Sequence, residues 1–361
     1  MTFEKARAQF PVLERFAYLN AGTLGPLARP VFDAVVREER RALEEGRMNP
    51  NVFASIFENR DRVRSGFAAL IGVEADRVAL TTSTTDGCNV VLSGLGLGED
   101  DEVVTTDAEH FGLIGPLAVN PARVRLARVA ERSAGEALEA ILAEVTPRTR
   151  LIALSHVTWV TGNVLPWREV RERTGIPVLV DGAQSAGAIP VDASGADFYT
   201  VSGQKWLCGP DLTGALFVRD PERLRLTAPT YLSQQAYDLG AATFEPRAGA
   251  ARFDTNFTPL ASVAGLLAAF ELHPEWRYER ALGQAARCRE LLSERFEVVT
   301  EPGSTLVALR VDDAEGAVRQ LFERGVIVRE IPKTGLVRAS CGWWTSDEDL
   351  DRLAESLAEL S

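Results

Sequence analysis

Lys205 lies in the run Tyr199-Thr-Val-Ser-Gly-Gln-Lys205-Trp-Leu-Cys-Gly-Pro210, between small residues at the end of an apolar stretch. Desolvation or a neighbouring cation lowers a lysine's pKa and leaves a neutral amine able to form a Schiff base. Taken alone, a strand-end lysine with a buried stem and a wet head reads the same way. Three further groups occupy comparable places. Asp181 closes Pro177-Val-Leu-Val-Asp181-Gly-Ala-Gln184, at the carboxyl end of an apolar run, where open α/β sheets bind ligands. A buried carboxylate there is costly without a cation, and a protonated pyridine nitrogen would serve. A helix cap would explain the same residue equally well. Val78-Ala-Leu-Thr-Thr-Ser-Thr-Thr85 runs from a strand into a hydroxyl-rich turn and a helix. The free N–H groups and dipole of that helix start suit a phosphate, although many such turns are plain caps. His110, in Thr106-Asp-Ala-Glu-His110-Phe, follows another strand end. An imidazole there can stack on a flat ring and assist proton transfer, or simply be structural.

Apolar, β-branched runs bounded by turn residues predict strands at 78–82, 102–106, 123–129, 151–155, 177–181, 197–202 and 214–219. Helical patterns lie between most of them, including 30–45, with Pro30 in its first turn and Gly46 past its end. Near-continuous apolar strands alternating with helices predict a doubly wound, mostly parallel α/β sheet of seven strands. Residues 221–260 read as irregular. Beyond them come helices over 261–272, 281–296, 314–324 and 347–360 and strands over 305–311, 326–329 and 336–340. We therefore expect a large α/β domain over 16–250 and a smaller α+β domain over 251–361, joined by residues 1–15.

The chain has 361 residues with 39 basic and 51 acidic side chains, a net charge of −12 that disfavours nucleic acid and anionic membrane as partners. No apolar stretch reaches the ~20 residues of a membrane helix, and the first residues lack a signal-peptide core, so a cytoplasmic protein is expected. Four cysteines are scattered without metal or disulfide spacing, and three distant histidines exclude a helical His-x-x-x-His site. No metal is expected.

The strand–hydroxyl turn–helix, Glu109-His110, Ser155-His-Val, Asp181-Gly-Ala-Gln184, Ser202-Gly-Gln-Lys205 and Val337-Arg338-Ala-Ser occur in this order. Together they resemble the class V aminotransferase family of pyridoxal-phosphate enzymes, a group that includes cysteine desulfurases, cysteine/cystine C–S lyases and isopenicillin-N-epimerase-like proteins. The resemblance runs from Tyr18-Leu-Asn-Ala-Gly22 to the final helix. It implies fold type I, pyridoxal 5'-phosphate as cofactor, an amino acid as small-molecule substrate and a homodimer. It implies that Lys205 forms the Schiff base and shuttles the Cα proton, Asp181 pairs with the ring nitrogen, Gln184 bonds the ring oxygen and His110 stacks on the ring. Thr84, Thr85, Ser202 and Gln204 would hold the phosphate. Arg338 would bind the substrate carboxylate through its fork, and Asn20 would approach the substrate.

Four departures from the resemblance narrow the reaction. Gln204 stands where many relatives carry His, and Trp159 stands where desulfurases often have an Asn facing the cofactor, as in the lyase- and epimerase-like branch. Phe257 replaces a Thr that reaches the neighbouring subunit's phosphate, with Thr255 or Thr258 as substitutes. The fourth is an absence, since the stretch Arg329 to Arg338 contains no cysteine to serve as a desulfurase's sulfur acceptor. These points lead to a C–S lyase acting by β-elimination on cysteine, cystine or a related S-substituted amino acid, rather than a persulfide-forming desulfurase. An aminotransferase on a small amino donor and an isopenicillin-N-epimerase-like racemase or epimerase are the alternatives.

Overall fold

The structure, a computed structural model, describes residues 1–130 and 132–360. Its main sheet holds β1 (Val78–Thr81), β2 (Glu102–Thr106), β3 (Arg123–Ala127), β4 (Thr149–Ser155), β5 (Val178–Asp181), β6 (Phe198–Ser202) and β7 (Gly214–Val218). The spatial order is β1-β7-β6-β5-β4-β2-β3, with β7 antiparallel to both neighbours and the other pairs parallel. All seven expected strands are present within a few residues of their expected ends. β5, β6 and β7 are buried throughout, whereas the edge strand β3 is largely exposed and carries Arg123 and Arg125. Apolar residues on both faces of inner strands and charges on an edge are what a sheet covered by helices requires.

The helices α1 (Arg29–Glu45), α2 (Pro50–Ile71), α3 (Thr84–Gly94) and α4 (Phe111–Ala118) belong to this part of the chain. The sequence reading did not anticipate α2 or α4. In α2 the buried face runs Val52, Ile56, Arg60, Val63, Arg64, Phe67 and Ile71. Two arginines interrupt the apolar stripe, and they are admitted because both bond to the buried Asp254. The region expected to be irregular contains a hairpin, Gln234–Asp238 with Thr243–Pro246, whose residues are nearly all exposed and so show no alternation.

A second sheet of three antiparallel strands follows, β8 (Leu306–Arg310), β9 (Arg329–Ile331) and β10 (Leu336–Ser340), in the order β8-β10-β9. The expected strand over 326–329 is divided: Val326–Ile327 pairs with Ala17–Tyr18, while Arg329 starts β9. Apolar residues of the helices Arg277–Ser293, Ala314–Glu323 and Asp347–Ala358 share one core with β8 and β10, and Ala17 and Leu19 join it. Ala6, Phe10 and Leu13 belong to the larger core, which also takes in Trp343 and Trp344, against whose rings Phe10 packs. Residues 20–25 bond to both parts, Gly22 N donating to Ser340 Oγ of β10, Gln184 Nε2 after β5 donating to Gly22 O and Gly25 N donating to Gln204 O after β6. No helix among the described residues is long and apolar enough to cross a membrane.

Candidate active site

Parallel strands present their carboxyl ends on one edge, and Asp181, Ser155 and Thr106 stand there as the last residues of β5, β4 and β2. Asp181 is buried, and its Oδ1 accepts from Ala183 N at 2.9 Å and from Thr200 Oγ1 at 3.4 Å. Its Oδ2 has no hydrogen-bond partner among the described residues. Lys205 follows β6 and is only partly exposed. Burial lowers its pKa to about 8; Asp181 opposes that shift, and Arg338 and Arg329 reinforce it. The lysine's turn is fixed by Gly203 N donating to Thr213 O and Gly25 N donating to Gln204 O. Cys208 holds a left-handed backbone at φ 55° in the same turn, a conformation costly for a residue with a Cβ.

At the start of α3, Ser83 caps Asp86 N, and the Asp86 carboxylate turns back to Thr82 N and Oγ1. The first-turn amides of Thr84 and Thr85 have no acceptor within the helix. The hydroxyls of Thr84 and Thr85 make no hydrogen bond among the described residues. Ser202 Oγ donates to Gln204 Oε1 at 2.8 Å, which leaves the Gln204 amide nitrogen free. His110 caps α4, its Nδ1 accepting from Gly112 N at 3.0 Å, so the neutral ring carries its hydrogen on Nε2. Its exposed ring meets Trp159 edge to face at 5.1 Å. Partial burial, then Lys205, lowers the pKa of His110.

Arg338 is 1% exposed and donates to Trp159 O, while its Nε has no partner. Burial and the neighbouring Arg329 bring its pKa down to about 9. Arg329 sits directly opposite on β9 and donates to Thr23 Oγ1 at 3.1 Å. Neither arginine has a carboxylate partner among the described residues. A buried guanidinium without an anion is expensive, so Arg338, with the half-buried Arg329 beside it, is suited to receive one. Residues 20–25 close the arrangement. Asn20 bridges Ser340 and accepts from Thr23 Oγ1 at 2.7 Å, and Gly22 O accepts from Gln184 Nε2 at 2.8 Å. Gln184 Oε1 accepts from Trp206 Nε1 at 3.1 Å, so only one Gln184 amide hydrogen remains for a ligand.

The sequence-derived residues Lys205, Asp181, His110, Trp159, Gln184 and Arg338 are thus joined by contacts, electrostatic influence or shared neighbours. Phe257 stacks on Tyr231 and, with Thr258, lines a cavity of about 580 Å³ together with Met48 and Ile56. Two residues escaped the sequence reading. Arg329 enters it only as one end of a stretch without cysteine, and Glu109, whose carboxylate is buried beside Ser155, only as part of the Glu109-His110 motif.

The donor set suits pyridoxal 5'-phosphate. It offers a desolvated amine for the aldehyde, the unpaired Asp181 Oδ2 for the ring nitrogen and free first-turn amides with two free hydroxyls for the phosphate. The profile of the family described as Aminotransferase class-V matches residues 19–353. Isopenicillin N epimerase of Streptomyces clavuligerus is 31% identical, over 99% of this chain and 98% of its own length. A probable cysteine desulfurase of Methanothermobacter thermautotrophicus is 25% identical, over 100% and 98%. The structure of the cystine C–S lyase C-DES in complex with its reaction product cysteine persulfide superposes with a TM-score of 0.91 at 29% identity, covering 97% of this chain and 99% of that one. A C-DES variant with glycine covalently linked to the cofactor gives the same score and identity. The chain belongs to the class V aminotransferase family and is a pyridoxal-phosphate enzyme of the fold that family shares with the cystine C–S lyase.

Proposed function

We propose that the protein is a C–S lyase that cleaves cystine or a related S-substituted cysteine by β-elimination. The observation that carries this reading is the pair Arg338 and Arg329, two adjacent guanidinium groups without a carboxylate. Cystine brings two carboxylates, one for each arginine. Pyridoxal phosphate, when bound, supplies an electron sink for the electron pair left at Cα. The chain supplies the rest. Thr84 and Thr85, with Ser202 and Gln204 alongside, would hold the phosphate, and Asp181 would pair with the ring nitrogen. His110 and Trp159 would flank the ring, and the remaining Gln184 amide hydrogen would serve the ring oxygen. Arg338 takes the α-carboxylate and Arg329 the distal one, with Asn20 at the same end. Lys205 Nζ takes the Cα proton; the Cβ–S bond breaks with its electron pair on sulfur, and Lys205 returns the proton to the departing group.

Sulfur transfer to the protein is disfavoured, because all four cysteines are buried. Desolvation raises the pKa of Cys88 and Cys208, and Cys341 rises through its contact with Cys288 and through burial. Four unpaired thiols also fit a reducing, cytoplasmic setting. Water hydrolyses the eliminated three-carbon enamine through its imine, so release of pyruvate and ammonia from cystine, with a persulfide as the sulfur product, is the expected outcome. Absence of pyruvate across a panel of S-substituted cysteines would reject the reading.

A second reading is favoured by the relatives named isopenicillin N epimerase, at 31% and 30% identity. Proton return to the opposite face of Cα would make the same residues an epimerase. Deuterium wash-in at Cα without pyruvate release distinguishes it, and accumulation of the amine form of the cofactor with a keto acid would instead indicate an aminotransferase. We place the active form as a homodimer, joined through the half-exposed apolar side chains Met48 and Phe257 that line one cavity.

A further inference from the structure

Glu109 has no part in the chemistry assigned above, yet it stands at the carboxyl edge of the main sheet. Its Oε1 accepts from Thr106 Oγ1 at 2.5 Å, and its Oε2 accepts from Ser155 N at 3.0 Å and Ser155 Oγ at 2.5 Å. Ser155 is the register partner of Asp181 on the neighbouring parallel strand. The carboxylate is therefore clamped one strand away from the oxygen proposed to face the ring nitrogen. Among the described residues no lysine or arginine bonds to it. The titratable groups around it are Asp181 on β5 and Cys88 on α3, both acidic, with His110 next in the chain turned to Gly112. Burial raises the Glu109 carboxyl to about 7, while the Ser155 and Thr106 hydrogen bonds favour its ionised form and Asp181 opposes it.

A neutral amide could tie Thr106 to Ser155 as well as a carboxylate does, so structure alone does not call for an acid here. A buried anion repelled by a second anion has a use once a cation lies between or beside them. We propose that Glu109 is a positioning residue for the cofactor's ring nitrogen: its negative charge adds to that of Asp181 and holds the nitrogen in its protonated form. The inference rests on Asp181 facing that nitrogen. Coupling of this kind is reciprocal, so the protonated ring in turn keeps Glu109 ionised.

The test uses holoenzyme loaded with pyridoxal phosphate labelled with ¹⁵N in the ring, whose chemical shift reports protonation directly. The wild-type nitrogen should remain protonated from pH 6 to 9. In Glu109→Gln its proton affinity should fall about tenfold, the effect of one unit charge about 12 Å away at an effective dielectric of about 20, and Glu109→Asp should recover part of the loss. Should Glu109→Gln fail to fold, Ser155→Ala removes one donor from the clamp, favours the neutral acid and should lower the nitrogen's proton affinity in the same direction. A variant that binds the cofactor with an unchanged nitrogen titration overturns the inference and leaves Glu109 a structural residue. An unprotonated nitrogen in the wild-type holoenzyme at pH 7 overturns the Asp181 assignment itself, and this inference with it.

Discussion

Arg338 and Arg329 face each other across β9 and β10, and a shared burden follows from that geometry. Each raises the cost of the other's charge until an anion arrives, and on the proposed reading the substrate's carboxylates would relieve both. Arg338→Lys keeps a charge but loses the bidentate fork, so kcat/KM should fall about 100-fold, the loss expected for charge-assisted hydrogen bonds of about 1.5–3 kcal/mol. Arg329→Gln should raise KM for cystine while leaving an S-alkyl cysteine, with its single carboxylate, within a few-fold of the wild type. Equal losses on both substrates in steady-state assays would remove the distal-carboxylate role. Lys205 gives a pH prediction whose sign follows from its lowered pKa of about 8. Below that pH the amine is protonated and cannot attack the aldehyde. Cofactor uptake by the cofactor-free protein should therefore accelerate about tenfold per pH unit up to pH 8 and level off above it, as followed by absorbance. Lys205→Ala should abolish turnover. Lys205 and Asp181 were legible in the sequence because charged residues ending apolar runs are costly and stand out. Arg329 was not, because its meaning comes from a cross-strand neighbour nine residues away.

Residues 20–25 form the element that joins the two halves of the site, and its glycines show how closely it is packed. A Cβ on Gly25 would come within 2.1 Å of Lys205 O and 3.0 Å of Cys208 Cα, both backbone atoms that cannot step aside. Gly25→Ala should therefore cost about 1–3 kcal/mol, as overpacking does, and lower the melting temperature. Gly283 provides the opposite sign. It lies exposed within the helix Arg277–Ser293 with nothing within 4 Å of a built Cβ, so Gly283→Ala should stabilise by about 0.5–1 kcal/mol. Thermal unfolding of the two variants side by side checks both. The elements themselves were unevenly legible. The buried strands β5 to β7 announce themselves by continuous apolar character, whereas α2 was hidden by Arg60 and Arg64. Their partner Asp254 is 194 and 190 residues away, and no local pattern reveals a pairing at that distance. The 234–246 hairpin buries almost nothing, so hydrophobic alternation never had a reason to mark it.

At the scale of the molecule, the distribution of apolar surface bears on how many chains act together. Phe32 on α1, Met48 and Phe53, and the aromatic pair Tyr231 and Phe257 are each roughly half exposed. Met48 and Phe257 line the same cavity of about 580 Å³, beside Glu38, Arg47 and Ile56. Grouped apolar side chains of this kind mark association surfaces more often than single scattered ones. Charge works against association, since each chain carries −12 and two copies repel. The two effects respond differently to salt. Screening shortens the reach of the repulsion from about 30 Å at 0.01 M to about 10 Å at 0.1 M, while burial of apolar surface persists. A homodimer held by this face should therefore tighten as salt rises, opposite to an assembly held by surface ion pairs. Sedimentation at micromolar concentration should give twice the chain mass at 0.1 M salt and a larger monomer fraction at 0.01 M. Phe257→Asp, which places a charge in the cavity wall, should shift the protein to monomer at both. A protein that stays monomeric throughout, or a dimer indifferent to Phe257→Asp, would move the interface away from this cavity.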